Sequence, residues 1–284
     1  MSEAVEFRSL TLAELRRLVG WAAREGWNPG VHDAAAFWLS DPEGFLALRV
    51  DGEFAGAGGI VRHNPHFGFM GLFILDPRFR GHGWGHRLWY ERRDRLLARL
   101  SSPATIGLDA VEAMIPFYAR GGFQPYHKHV RFSGMPVAQT STEVCDLATV
   151  GRRAIHAYDS VCFPGPRTAY LDAWLAQPEA HGLAVVRGGQ LHGYGVLRRC
   201  SPGWKLGPLF ADNLEVAELI LKHAASLVGP GPILLDAPEN NPLARQLCEQ
   251  HQMQPVFECT RMYLGPAPEL QDHRIFGITT MELG

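Results

Sequence analysis

The sequence predicts an α/β protein of two tandem domains, each a mixed central sheet flanked by helices. Three observations predict it. The chain repeats itself in order, short apolar runs alternate with helically spaced ones, and 284 residues suffice for two ordinary domains.

The repeat comes first because it organises everything else. Trp38-Leu39 followed by Pro42-Glu43 recurs as Trp174-Leu175 followed by Pro178-Glu179, a shift of 136 residues. The same shift carries Arg16-Arg17 onto Arg152-Arg153, Gly59 onto Gly195, Arg62 onto Arg198, Gly71 onto Gly207 and Asp76 onto Asp212. Downstream, Leu108-Asp109-Ala110 matches Leu235-Asp236-Ala237 at a shift of 127. Gln124-Pro125 and Arg131 match Gln254-Pro255 and Arg261 at a shift of 130. An ordered series of matches predicts two related domains, 1–135 and 136–284, joined through a segment rich in Pro, Gly and polar residues near 134–140. The fall in shift places a nine-residue deletion in the second copy, between the equivalents of Asp76 and Asp109.

In the first copy, Thr11 is a cap for a helix carrying Leu15, Leu18 and Ala22, and a second helix follows over 34–39. Residues 45–50 and 56–62 read as strands around the Asp51-Gly52 turn. Residues 67–75 form a nearly continuous apolar run, expected of one strand covered on both faces. Leu88, Trp89, Leu96, Leu97 and Leu100 give helical spacing, 105–111 another strand, 115–120 a short helix and 127–132 a last strand.

Bulk composition excludes several classes. At 46% hydrophobic and 20% charged residues the chain builds a real core, so disorder is excluded. A net charge of −2 argues against a general nucleic-acid binder. Five cysteines without a CxxC pair read as reduced structural thiols. The acidic start has no apolar stretch and no segment approaches membrane-spanning length, so a soluble, cytoplasmic protein is expected. Thirteen histidines invite a metal hypothesis, yet neither His63/His66 nor His127/His129 falls on a zinc spacing with a third ligand, and no metal is expected.

The chemistry is concentrated in Arg80-Gly81-His82-Gly83-Trp84-Gly85, a loop between the apolar run and a helix. Glycines permit close backbone approach, and amides at a helix N-terminus converge on an anion. Such a loop suits a pyrophosphate, with Arg78, Arg80, His82, His86 and Arg87 as nearby cations. Taken alone it is equally a glycine-rich turn beside a solvated helix. It is neither a Walker loop nor a dinucleotide fingerprint: no Lys-Ser or Lys-Thr follows, and His86 replaces the third glycine.

In context, the stretch from Phe73 to Gly85, with Arg80, Gly83 and Gly85 in Arg/Gln-x-x-Gly-x-Gly/Ala spacing, resembles the acyl-CoA signature of the GNAT superfamily of N-acetyltransferases. Tyr118-Ala119-Arg120-Gly121-Gly122-Phe123 is similar to that family's Tyr-x-x-x-Gly-Phe element, and Gly26-Trp27-Asn28-Pro29-Gly30 to its tandem subgroup, in which some members carry a loop-deficient second domain. The resemblance implies acetyl-CoA as co-substrate. Main-chain groups of Phe73, Ile74 and Leu75 would hold the pantetheine, one N–H polarising the thioester carbonyl. Main-chain N–H groups from Gly81 to His86, Trp84 included, would bind the pyrophosphate. Tyr118 would protonate the departing thiolate. Its counterpart in the second copy is Cys248, so with the loop deleted that domain is expected to be inactive towards CoA.

There are departures. Val111 stands where many relatives place Asn, and no carboxylate lies on the 67–75 run to act as base. A water, ranked first, or His66 or Asp109 would deprotonate the amine. Trp27, Asn28 and Asp109 are candidate substrate contacts, although surface packing accounts equally for Trp27, and the equivalence of Asp109 with Asp236 favours a structural role. Tyr118 could also be a packed core aromatic. The predicted function is direct acetyl transfer to a primary amine, with a small-molecule acceptor. A non-catalytic acyl-CoA-binding regulator and a protein-lysine acetyltransferase are the alternatives. Acceptor and oligomeric state are not legible.

Overall fold

The computed structural model describes residues 4–229 and 231–284. The first repeat forms strand β1 (Val5–Ser9), helices α1 (Leu12–Arg24) and α2 (Asp33–Ser40), and strands β2 (Phe45–Val50), β3 (Glu53–Gly59), β4 (Val61–Asn64), β5 (Phe67–Phe69) and β6 (Ile74–Leu75). Helix α3 (Trp84–Arg99), strand β7 (Thr105–Ala110), helix α4 (Ile115–Arg120) and strand β8 (Gln124–Gly134) complete it. The second repeat forms β9 (Val144–Asp146), α5 (Arg152–Cys162), α6 (Thr168–Leu175), β10 (Ala180–Arg187), β11 (Gln190–Arg199) and β12 (Trp204–Ala211). It ends with α7 (Leu214–Leu227), β13 (Ile233–Pro238), α8 (Pro242–Gln250), β14 (Gln254–Leu264) and β15 (Ile275–Gly277), the last without a counterpart in the first. This is the mixed α/β architecture read from the sequence.

Helix α1 starts where Thr11 predicts. The Thr11 hydroxyl accepts from the Glu14 N–H at 3.3 Å while the Glu14 carboxylate accepts from the Thr11 N–H at 2.9 Å, a reciprocal capping box. Leu15, Leu18 and Ala22 then fall on one buried face.

The apolar run 67–75 is not the single strand its composition predicts. Strand β5 pairs in parallel with β7, whereas β6 pairs antiparallel with β3 in a different sheet. Between them the chain bends, with Leu72 at φ 49°. Likewise 56–62 breaks at Ile60 into β3 and β4. The cause is a buried cation inserted from α3: Arg92 Nη2 donates to the carbonyls of Gly59 (2.7 Å) and Gly71 (2.8 Å), one at each bend. Its guanidinium takes the volume beside Gly58 that a side chain there would need. Apolar periodicity reports burial, and both halves of the bent strand are buried, so the bend leaves no trace in it.

Neither lobe keeps its own last strand. The large sheet runs β4-β5-β7-β14-β8-β13-β12-β11-β10-β9. Strand β14, from the second repeat, pairs with β7 of the first, while β8, from the first, pairs with β13 of the second. The division of the chain near 135 is therefore a division of the repeats in sequence, and the sheet runs straight through it. Two buried ion pairs mark the exchange. Arg131 on β8 grips Asp236 on β13 (2.6 and 2.8 Å), and Arg261 on β14 grips Asp109 on β7 (2.8 and 2.9 Å). These are the same two residues of the repeat, each reaching the partner repeat. Helices α2 and α6 also pack together, with Phe37 and Trp174 stacked at 6.1 Å, and one apolar core spans both halves.

Candidate active site

Because β6 leaves with β3 while β7 continues the other sheet, the two separate and leave a wedge. A cavity of about 510 Å³ lies there, walled by Met70 to Leu75, Tyr118, Phe117 and Asp109 from the first repeat. The second repeat supplies Phe257, Cys259, Met281 and Glu282.

One edge of β6 is unpaired. The Asp76 N–H donates to the Ala55 carbonyl at 3.0 Å, so by the two-residue alternation of a strand Ile74 also faces β3, while Phe73 and Leu75 face the wedge. Arg80 Nε donates to the Leu75 carbonyl at 3.0 Å, and Arg80 Nη2 pairs with Glu25 at 2.5 Å, closing the rim. Of the three residues read as pantetheine contacts, Ile74 is thus turned to β3 through its main chain.

Beyond β6, Asp76 accepts from the Arg78 N–H at 3.1 Å and starts a tight turn over Pro77–Phe79. Gly81 (φ 83°) and Gly83 (φ 80°) adopt left-handed conformations, and Gly83 caps α3 with no side chain to satisfy its first turn. Among the described residues the N–H groups of Gly81, His82, Gly83, Trp84 and Gly85 take no main-chain partner, whereas that of His86 is directed at the Gly83 carbonyl (3.1 Å). That arrangement is an anion cradle, with the helix dipole adding to it. The Trp84 side chain is buried in the core and His82 is exposed away from the cavity wall, so both present only backbone here.

Tyr118, on α4, is buried at the cavity and packs on Trp89 at 4.8 Å. Among the described residues its hydroxyl takes no hydrogen-bond partner. Burial pushes it up to about 12, against the pull of the Arg92 cation, so it is a phenol rather than a phenolate at neutral pH. Arg92 itself is lowered by burial to about 10 and stays charged.

The three candidate substrate contacts separate. Trp27 lines the cavity, and its carbonyl is held by Arg131 Nη1 at 2.5 Å. Asp109 also lines it, but burial, which would raise its carboxyl, is outweighed by Arg261 and His129, which hold it well below the usual range. It is a poor proton acceptor. Asn28 does not reach the cavity: its amide donates to the Pro202 carbonyl (3.1 Å) and its own carbonyl accepts from Lys205 (2.8 Å), so it ties the lobes together. His66 is exposed, its Nδ1 held by the Ser101 and Pro103 carbonyls at 2.9 and 3.0 Å, and it does not line the cavity, so it is not placed to act as the base. Sequence reading missed Arg131, Phe257, Cys259, Met281 and Glu282. The strand exchange brings the first three, and the chain's last residues bring the others.

Comparison with known proteins agrees with this geometry. Residues 12–123 match the acetyltransferase (GNAT) family and residues 155–277 match an acetyltransferase (GNAT) domain. The chain is 27% identical over 277 residues to holothin acyltransferase of Pseudoalteromonas sp. (strain SANK 73390), covering 96% of this chain and 92% of that one. In fold it resembles a putative acetyltransferase from Pyrococcus horikoshii, at TM-score 0.83 and 24% identity over 100% of this chain and 97% of that one. It also resembles a tandem GNAT protein from the clavulanic acid biosynthesis pathway, at TM-score 0.61 and 15% identity over 93% and 100% of the two chains. With both repeats matched and the acyl-CoA-type loop confined to the first, the chain belongs to the GNAT family as a tandem member and is an acyltransferase.

Proposed function

We propose that the protein transfers an acetyl group from acetyl-CoA to the primary amine of a small molecule, with the first repeat (1–135) holding the cofactor and the second (136–284) closing the acceptor site. The observation that carries this reading is the wedge itself. An unpaired strand edge, a loop of unpartnered N–H groups that enters the wall at Gly81 and Gly85, and the Tyr118 phenol meet at one cavity. Pantetheine would lie along Phe73 and Leu75 and the pyrophosphate on Gly81 to Gly85. The amine would attack the thioester carbonyl, its oxyanion held by a wedge N–H, and Tyr118 would protonate the leaving thiolate. An apolar cavity walled by both lobes, and a relative named for holothin, favour a small acceptor over a protein surface. The five free cysteines fit a reducing, cytoplasmic setting, and among the described residues no helix is long and apolar enough to cross a membrane.

Calorimetry with CoA, followed by thiol release from acetyl-CoA over a panel of benzylamine, phenethylamine, aniline and a lysine peptide, tests the reading. Saturable CoA uptake and release with a small amine are expected. No CoA uptake sinks it, uptake without turnover identifies a regulator, and acetyl mass on the peptide alone redirects it to protein acetylation.

A further inference from the structure

The last ten residues have no repeat counterpart, yet they are almost wholly buried. Strand β15 occupies the second repeat's own wedge: β12 pairs with β13 only over Trp204–Leu206, and then takes β15 at Leu209 and Phe210. From there the tail crosses to the first lobe. The carbonyls of Ile278 and Thr279 would lie 2.7 Å from a methyl placed on Gly207, and the Glu282 carbonyl sits where a methyl on Gly71 would be. Gly71 and Gly207 are repeat mates, so one segment packs against both. His63 Nε2 reaches the Leu283 carbonyl at 2.8 Å, and Arg167 Nη1 the Gly284 carbonyl at 3.2 Å, fixing its end.

This course places Glu282 in the cavity wall beside Met281. Its carboxylate is buried and accepts from the Thr280 hydroxyl. The charged groups facing it are Lys205 on β12, Arg131 on β8, Arg198 on β11 and Asp33 on α2, with the Cys259 thiol of β14 near by. Arg131 belongs to Asp236 and Arg198 to Asp33. Lys205 has no carboxylate partner among the described residues, its ammonium donating instead to the Asn28 carbonyl. Two closed ion pairs therefore surround one acid and one base, and burial raises the acid while lowering the base. Unlike Asp109, which is locked to Arg261, Glu282 has no arginine partner of its own among the described residues while it lines the cavity.

We propose that Glu282, delivered by the C-terminal tail, is the residue that receives the first proton of the acceptor's ammonium. This rests on the acyl-transfer reading above. The carboxylate takes one proton from R–NH₃⁺, and the freed lone pair forms the C–N bond. The tetrahedral adduct then expels CoA thiolate as its C–S bond breaks. Tyr118 protonates the thiolate, and the adduct's remaining surplus nitrogen proton restores the phenol, so the single proton left on Glu282 departs to solvent.

The test uses the full chain, acetyl-CoA and the better of the two alkylamines, benzylamine and phenethylamine, comparing wild type with Glu282→Gln and Glu282→Asp from pH 6 to 10. Glu282→Gln should bind CoA and melt as wild type does but lose about 10²-fold in kcat/KM at pH 7. The loss should shrink as pH rises and the amine becomes neutral on its own, and Glu282→Asp should recover part of the rate. An unchanged pH profile in Glu282→Gln, or a pH-independent loss accompanied by weaker CoA binding, overturns the assignment. A wild type that binds CoA yet turns over no amine overturns the acyl-transfer reading itself, and this role with it.

Discussion

The two wedges of this molecule occupy equivalent places in the two repeats and are built in opposite ways. In the first, the loop after β6 keeps two left-handed glycines, α3 opens on Gly83 with no side chain at its first N–H groups, and the gap beside β7 is a cavity walled by both repeats. In the second, nine residues are gone, the side-chain amide oxygen of Asn213 caps α7 by accepting from the Val216 N–H at 3.0 Å, and β15 fills the gap. Each departure satisfies a group that the first wedge leaves open. The first wedge leaves main-chain donors without partners, and the second closes the equivalent positions from within.

The sharpest break of this comparison lies at the repeat mates Tyr118 and Cys248. Both are buried, and burial pushes each up to about 12, but only Tyr118 lines the cavity. Tyr118→Phe is expected to lower kcat by 10²- to 10⁴-fold, the usual range for a lost general acid, with CoA affinity little changed. Cys248→Ala should leave turnover within twofold and cost only stability. Thiol-release kinetics on the two variants decide it, and full activity in Tyr118→Phe removes the phenol from the mechanism.

A second test asks whether the exchanged strands are equivalent energetically as well as geometrically. Removing one partner of a buried ion pair costs about 3–5 kcal/mol because the other charge is stranded. Arg261→Met and Arg131→Met should both fall in that range by urea midpoint. Arg131→Met should be the worse, because its guanidinium also holds the Trp27 carbonyl. A negligible cost for either would mean that its strand contributes pairing but not the lock.

Local structural signals are legible in this sequence and long-range ones are not. Thr11, the loop, α3 and Tyr118 are visible because capping, left-handed glycine and helix spacing act within a few residues. The exchange of β8 and β14 is invisible, since a strand's alternation is the same whichever repeat it pairs with. Asp109 and Asp236 hinted at it: their symmetry indicated structure rather than substrate, though not that each arginine partner comes from the other repeat. The tail escaped because Ile275 to Gly284 matches nothing in the first copy and carries no motif, leaving only an unexplained apolar C-terminus. Its buried carboxylate, Glu282, is the proposed base that the 67–75 run lacks.

The smallest expected effects come from exchanging the two helix caps. Gly83→Asn places on α3 the residue type that closes α7. Asparagine tolerates the left-handed angle better than most residues, and nothing lies within 4 Å of a methyl group at Gly83, so the fold should be retained. Its side chain would stand over the first-turn N–H groups and compete with an incoming phosphate. Losing one charge-assisted hydrogen bond there predicts CoA binding weakened on the order of tenfold by calorimetry. The reciprocal change, Asn213→Gly, should cost only about a few tenths of a kcal/mol, because water replaces the lost cap. It should create no CoA site, since β15 still fills the wedge behind α7. CoA binding gained in Asn213→Gly, or untouched in Gly83→Asn, would mean that the open helix end is not what distinguishes the two lobes.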